Sequence, residues 1–275
     1  SVFAADMDGD GDMDIVSASY LDNTIAWYEN DGASDPSWAA SNIATDAYGA
    51  QSVYVADMDN DGDMDIVSAS CTGGTIAWYK NDGAANPTWT ISYIDLDADC
   101  ARSVFASDID GDGDMDVVSA SNDYFDDDTI VWYENDGTTN WTKNVISTSV
   151  DGPRSVFAAD IDSDGDMDVL SASQTDDTIA WYENDGAADP TWTAADIATD
   201  ADGARSVFAA DMDGDGDMDI LSSTVYNSKI AWFENDGSEN FSEHLIGTLP
   251  YIKSSSAADM DGDGDVDVLY ALPWA

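Results

Sequence analysis

Positive charge is almost missing from this chain. Seven Lys and Arg and a single His stand against 58 Asp and Glu in 275 residues, a formal net charge of −51. So acidic a polymer repels phosphate, which excludes nucleic acid as a partner. No run of about 18 apolar residues occurs, so no membrane span is expected. No secretory leader is expected within this stretch either. Residue 1 already lies inside a repeat, so a processed chain or a fragment is expected, and secretion stays open. Helical periodicity is absent as well. Disorder is excluded by what remains: 43% hydrophobic residues, 11% aromatic residues and ten Trp are enough for a packed core. The length suits one large all-β domain or two smaller ones.

Aspartate is abundant, and in one pattern. DMDGDGDMD begins at Asp6, DMDNDGDMD at Asp57, DIDGDGDMD at Asp108, DIDSDGDMD at Asp160, DMDGDGDMD at Asp211 and DMDGDGDVD at Asp259. The spacings are 51, 51, 52, 51 and 48 residues, and self-similarity at this period marks a repeat architecture. Repeats start near 1, 52, 103, 155, 206 and 254. Each opens with an apolar run, such as SVFAAD at 1–6, and enters the aspartate loop. A second run follows, such as DIVSAS at 14–19, and then a variable segment. A third run, TIAWYENDG at 24–32, is echoed from Thr75, Thr129, Thr178 and Lys229. A fourth starts at Trp38, Trp89, Trp141, Trp192 or Phe241.

These runs are short, rich in Val, Ile, Trp and Tyr, and bounded by Gly, Asn and Asp, which predicts strands. Asn-Asp-Gly after the third is turn chemistry. Four strands in about 50 residues make a propeller blade. Several runs are apolar on both faces, as a blade between two others requires. The sixth repeat holds two strands, SSSAAD at 254–259 and DVLYAL at 267–272. The expectation is therefore an all-β chain forming one β-propeller domain over 1–275, with five full four-stranded antiparallel repeats and a partial sixth. It is expected to be part of a longer propeller, or to have its open edge covered by another chain.

The aspartate loops carry the chemistry. Position 1 is Asp6, Asp57, Asp108, Asp160, Asp211 and Asp259; position 3 is Asp8, Asp59, Asp110, Asp162, Asp213 and Asp261; position 5 is Asp10, Asp61, Asp112, Asp164, Asp215 and Asp263. Alternate carboxylates converge when a short loop curls, and Gly at position 6 allows the sharp turn. Position 7, which is Asp12, Asp63, Asp114, Asp166, Asp217 and Asp265, offers its backbone carbonyl and turns its side chain outward. Position 9, which is Asp14, Asp65, Asp116, Asp168, Asp219 and Asp267, supplies the closing carboxylate. An EF-hand would place Glu at position 12 within a helix, whereas this chain has Ser or Tyr there on a strand. All-oxygen ligands on a flexible loop favour Ca²⁺ over zinc, copper or Mg²⁺. The bland alternative is a solvated acidic turn. Against it, two carboxylates about 5 Å apart repel by roughly 3 kcal/mol at an effective dielectric near 20. About six structural Ca²⁺ ions are expected.

The unit SVFAADMDGDGDMDIVSAS followed by TIAWYENDG resembles the FG-GAP or VCBS repeat of integrin α propellers, fungal lectins and secreted adhesion proteins. The resemblance covers essentially the whole chain. It implies a propeller, usually of seven blades, with structural Ca²⁺ between the first two strands of a blade. The implied ligands are the Asp side chains at positions 1, 3, 5 and 9 and the carbonyl at position 7. Fewer than six full units put closure of the ring in doubt.

Antiparallel order places the aspartate loops and Asn-Asp-Gly turns at one end of each blade and the variable segments at the other. Loops that vary on a fixed scaffold suit recognition of a protein or glycan, or are tolerated drift. Four of the seven basic residues, Arg102, Arg154, Arg205 and Lys253, share one repeat position before the first strand, with Gln51 as the fifth. A propeller gathers them on the variable face, where they bind a carboxylate or sulfate of a glycan. Otherwise they pair with Asp97, Asp99, Asp151, Asp200 and Asp202. The recurring Trp residues suit packing between blades or sugar stacking, and Trp274 stands outside the pattern. Cys71 and Cys100 lie at the variable end of adjacent repeats, giving either a disulfide in an oxidising compartment or two free thiols. Asn140 and Asn240 head glycosylation sequons, which agree with secretion.

Three functions compete. The first is a non-catalytic, secreted, calcium-stabilised interaction module, as an adhesion protein or a subunit of an extracellular assembly. The second is a lectin using the variable face. The third is an enzyme such as a polysaccharide lyase. His244 sits beside Glu243 in a fourth-strand segment and reads as a surface residue. No nucleophile or acid–base pair breaks the repeat, so the expectation is no enzyme.

Overall fold

The structure, a computed structural model, describes residues 1–122, 128–138 and 140–272. Residues 123–127 of the third variable segment, and Trp274, lie outside the described residues. Among the described residues, every regular element is a strand, and no helix is long and apolar enough to cross a membrane.

The first sheet holds β1 (Val2–Ala5), β2 (Asp14–Ser19), β3 (Thr24–Asn30) and β4 (Trp38–Ala44). The second holds β5 (Ala50–Ala56), β6 (Asp65–Ser70), β7 (Thr75–Asn81) and β8 (Trp89–Asp95). The third holds β9 (Ala101–Ser107), β10 (Asp116–Ser121), β11 (Thr129–Asn135) and β12 (Trp141–Ser147). The fourth holds β13 (Pro153–Ala159), β14 (Asp168–Ser173), β15 (Thr178–Asn184) and β16 (Trp192–Ala198). The fifth holds β17 (Ala204–Ala210), β18 (Asp219–Thr224), β19 (Lys229–Asn235) and β20 (Phe241–Thr248). The last pairs β21 (Ser254–Ala258) with β22 (Asp267–Ala271). Neighbours in sequence are neighbours in each sheet, and they pair antiparallel. These are four-stranded meanders of the propeller-blade type, as the repeat pattern predicts.

The residues group into two compact units, one with the first two sheets and most of the third, the other with the last three. In the first unit, Val16, Ile25 and Trp27 of one sheet pack on Val53, Val55 and Tyr79 of the next. Val67, Ile76 and Trp78 then pack on Val104, Val117 and Tyr133. In the second unit, Leu170, Ile179 and Trp181 meet Val207, Ile220 and Phe233, and Leu221 and Ile230 meet Ile252 and Ala257. Middle strands such as β6, β10, β14 and β18 are buried at every residue. That explains their double-sided apolar sequence, since each fully buried Val, Ile or Leu contributes about 1.5–3 kcal/mol.

The recurring aromatics do the packing expected of them. Phe3, Tyr54 and Phe105 form a ladder with ring centroids 4.9 and 4.4 Å apart. Phe157 and Phe208 repeat it in the second unit at 4.8 Å. Third-strand Trp78 meets fourth-strand Trp141 edge-on at 6.3 Å, as Trp181 meets Phe241 at 6.2 Å. Cys71 and Cys100 are joined as a disulfide between adjacent sheets of the first unit.

Candidate metal centres and the opposite end of the blades

Each aspartate loop is folded by its own backbone amides. Asp6 accepts hydrogen bonds from Gly9 N and Gly11 N, both at 2.9 Å. The same position-6 amide donates to Asp57, Asp108, Asp160, Asp211 and Asp259 at 2.9–3.1 Å. The position-6 glycines have φ of 95–102°, a backbone closed to other residues. Position 4 is left-handed in all six loops, which restricts it to Gly9, Asn60, Gly111, Ser163, Gly214 and Gly262.

Positions 3 and 5 spend one oxygen on the loop and keep the other. Asp8 Oδ1 accepts from Asp10 N at 3.3 Å, and Asp10 Oδ1 from Asp12 N at 2.9 Å. One oxygen from each residue of Asp6, Asp8 and Asp10 lies within 4.8 Å of the others. The same holds for Asp57, Asp59 and Asp61, for Asp160, Asp162 and Asp164, and for Asp211, Asp213 and Asp219. In the third loop, Asp108 with Asp114 and Asp116 belongs to the first unit, and Asp110 with Asp112 to the second. The sixth loop repeats the same amide contacts around Asp259, Asp261 and Asp263. Buried Asp59 Oδ1 and Asp108 Oδ1 have no hydrogen-bond donor. Convergent carboxylate oxygens, with two buried loop oxygens lacking a donor and no nitrogen or sulfur among them, fit a hard cation.

Position 9 does more than close the loop. Asp14 is 1% exposed. It accepts from Met7 N at 3.2 Å, Trp27 Nε1 at 2.9 Å and Asn30 N at 2.8 Å. Asp65 takes Met58 N, Trp78 Nε1 and Asn81 N likewise. Asp116, Asp168 and Asp219 each accept the amide of the equivalent Asn at 2.7–2.8 Å, and Asp267 accepts Met260 N. One carboxylate therefore ties the loop to the third strand. Burial dominates its electrostatics: it pushes Asp65 up to about 6, Asp168 to about 7 and Asp219 to about 6, against the lowering by these donors.

Two further contacts were not legible as such in the repeat. The position-7 side chains Asp12, Asp63, Asp114, Asp166 and Asp217 lie over Gly32, Gly83, Gly137, Gly186 and Gly237, where any Cβ would collide. They dock the loop on the Asn-Asp-Gly turn instead of facing open water. The Asn of that turn reaches the neighbouring sheet. Asn81 donates to Met7 O at 2.8 Å, Asn135 to Met58 O at 3.1 Å, Asn184 to Ile109 O and Asn235 to Ile161 O, both at 2.9 Å. Each acceptor is the position-2 carbonyl of a preceding loop.

Third-strand Glu was overlooked too. Glu183 adds to the negative field that helps raise Asp162, whose largest influence is burial. The second repeat has Lys80 there, in WYKN. Its ammonium pairs with Asp59 and lies 3.1 Å from Asp61. Comparison of WYEN with WYKN carries that signal.

At the opposite end, Arg154, Arg205 and Lys253 of the second unit come close enough to interact. The ammonium of Lys253 is held below its usual range, first by Arg205, then by burial and by Arg154. Arg102, in the first unit, donates to Asn122 at 3.5 Å. Asn140 and Asn240 are both exposed. His244 stacks on Trp232 with centroids 4.7 Å apart and pairs with Glu234 at 2.6 Å.

Blade-type sheets whose first two strands are joined by acidic loops define a tandem-repeat β protein. The FG-GAP-like repeat profile matches residues 6–68, 59–119, 108–171, 161–222 and 223–270. The chain belongs to the FG-GAP-like repeat family. No curated protein matches it by sequence. Among solved structures, it is similar to a functionally unknown protein from Desulfotomaculum acetoxidans DSM 771, at 12% identity and TM-score 0.64, over 92% of this chain and 71% of that one. It is also similar to a Bacillus licheniformis rhamnogalacturonan lyase, at 14% identity and TM-score 0.52, over 98% of this chain and 54% of that one. The V. cholerae biofilm matrix protein Bap1 matches at 19% identity and TM-score 0.51, over 94% of this chain and 40% of that one. The chain thus spans about half the lyase and less of Bap1. The expectation of no enzyme needs correction. It rested on the uniformity of the repeat, and a lyase carries the same fold. The fold therefore does not exclude catalysis, and at this identity it does not establish catalysis either.

The raised position-9 carboxylates set a pH dependence. Without a bound cation, the folded chain takes up protons at Asp65, Asp168 and Asp219 near pH 6–7, whereas the unfolded chain does so near the ordinary value of about 3.9. Stability in chelator should rise as pH falls from about 7.5 to about 5.5. Thermal melts in EDTA at the two pH values check this, and a lower midpoint at the acid value contradicts it.

Proposed function

We propose that the loops bind Ca²⁺ as a structural cofactor, and that the chain is a secreted, calcium-stabilised binding module whose variable end meets a protein or glycan partner. The observation that carries the reading is the convergence of carboxylate oxygens in loops already folded by their own amides. A preformed all-oxygen cage on a flexible loop suits Ca²⁺, which accepts irregular coordination, better than Mg²⁺, which holds its water. In each cage positions 1, 3, 5 and 9 give side-chain oxygens and position 7 its carbonyl. Six dications would reduce the formal charge of −51 only to about −39, so the ions act locally, where like charges crowd. An extracellular setting agrees with the disulfide and the two exposed sequons. It also fits the general role named for Bap1, a biofilm matrix protein.

Chelation should lower the melting temperature by on the order of 10 °C or more at neutral pH, because several sites bind only the folded chain. An unchanged melt in excess EDTA contradicts the reading. The loops should also differ among themselves. Lys80 places a covalently tethered cation on Asp59 and Asp61, so the second loop should bind Ca²⁺ more weakly than the rest. Lys80→Glu should tighten that site by about tenfold or more, roughly 1.4 kcal/mol. Calcium titration by calorimetry, wild type against variant, reads the difference; identical isotherms contradict it.

A further inference from the structure

The joint between the first two sheets departs from the repeat at its variable end. Tyr48 stands where the next three joints carry Asp99, Asp151 and Asp202. Tyr93 of β8 stands where the first, third and fourth repeats have Asn42, Val145 and Asp196. Leu96 stands where they have Thr45, Thr148 and Thr199. Tyr48, Tyr93 and Leu96 are all exposed. With Asp46, Tyr79 and Ile91 they line one cavity of about 170 Å³ within the first unit. Three separate departures from the repeat thus meet in one place.

A buried member of the same lining has an incomplete set of hydrogen bonds. Tyr79 is 3% exposed and stands directly opposite Ile91 in the β7–β8 ladder, with Tyr93 two residues on and on the same face. Its hydroxyl oxygen accepts a long bond, 3.4 Å, from Ser68 Oγ, and its own proton meets no acceptor among the described residues. In the next sheet the equivalent hydroxyl, of Tyr133, donates to Asp95 Oδ2 at 2.9 Å. Asp95 ends β8 opposite Ile76. At the same place in β4, opposite Ile25, stands Ala44, whose methyl group accepts nothing. A buried polar group left unpaired costs about 1–3 kcal/mol. An acceptor oxygen held in the cavity removes that cost.

The backbone around the cavity is fixed in advance. Tyr48 O accepts Gly73 N at 2.8 Å, and Gly49 O accepts Cys71 N at 3.0 Å. Gly49 N donates to Asn23 Oδ1 at 2.8 Å, and Cys71 is joined to Cys100. Loops held this way lose little freedom on binding. The chemistry of the lining narrows the ligand. Exposed rings offer stacking faces, the Tyr79 hydroxyl needs an acceptor, and exposed Asp46 accepts donors. A sugar ring has apolar C–H faces and hydroxyl groups that both donate and accept. Asp46 and the formal charge of −51 oppose an anionic ligand. A simple cation lacks the acceptor that Tyr79 needs. At about 170 Å³ the cavity is smaller than the roughly 300–1,000 Å³ of drug-sized pockets, which suits a single ring.

We propose that this cavity is a subsite for one neutral sugar ring of a glycan, with Tyr48 and Tyr93 as stacking platforms, Tyr79 as a hydroxyl donor and Asp46 as the acceptor of ring hydroxyls. This rests on reading the variable end as a binding face. The test uses the full chain in calcium on a printed array of neutral glycans and their sialylated or sulfated counterparts. Neutral glycans should bind, and their acidic counterparts should bind at least tenfold more weakly. Tyr48→Ala, at an exposed position, should weaken the neutral signals about tenfold, and Tyr79→Phe about three- to tenfold, the worth of one ring contact and one hydrogen bond. The melting temperature of both variants in calcium should stay within a few degrees of the wild type. Absence of binding to any neutral glycan overturns the subsite, as does equal binding of neutral and acidic forms or binding that survives both substitutions. A calcium-stabilised chain that binds no glycan refutes only the subsite, whereas loss of calcium stabilisation refutes the scaffold reading beneath it.

Discussion

Crowded carboxylates are the constraint around which each blade is organised. Oxygens from three aspartates lie within 4.8 Å of one another in several loops, and each such pair repels by about 3 kcal/mol at an effective dielectric near 20. The chain offsets part of this with its own dipoles, since carboxylates at positions 1, 3, 5 and 9 accept backbone N–H groups. Such donors stabilise negative charge without neutralising it. A multivalent cation, as proposed above, would answer the geometry. The acidity of the loop is thus a folding condition placed at the junction of two strands.

The position-9 aspartate passes that condition to the rest of the blade. In the five full repeats it is buried and takes a donor from the turn Asn; in the first two it also takes the third-strand Trp, and in the fifth it brings one oxygen to the carboxylate cluster. The same Asn then reaches a carbonyl of the preceding loop. Cage, third strand and neighbouring sheet therefore form one connected polar chain, beside interfaces otherwise held by Ile, Val, Leu and aromatic side chains. Loss of charge balance in the loop loosens the joint between sheets as well as the loop itself.

Much of this was legible in the sequence. The 51-residue period, the short Val- and Ile-rich runs and the Asn-Asp-Gly turns identify the strands and their order, because all report local backbone preference. Asp at positions 1, 3 and 5 with Gly at position 6 identifies the cage for the same reason. Contacts between distant residues were not legible. Nothing local says that Asp12 rests on Gly32, or that Asn81 reaches Met7 across 74 residues. Lys80 was visible as a break in WYEN, but its meaning needs the third strand placed beside the loop. The shared position of Arg154, Arg205 and Lys253 was readable, whereas the bulges at Arg154 and Arg205 appear only in the register. Uniformity of the repeat misled on catalysis, because a repeating frame does not reveal what a few loops add.

Bound calcium per chain, counted by equilibrium dialysis at about 1 mM free Ca²⁺ with elemental analysis, tests the central claim most directly. The account predicts at least five ions per chain, one for each loop without a lysine above it. One ion or none contradicts it.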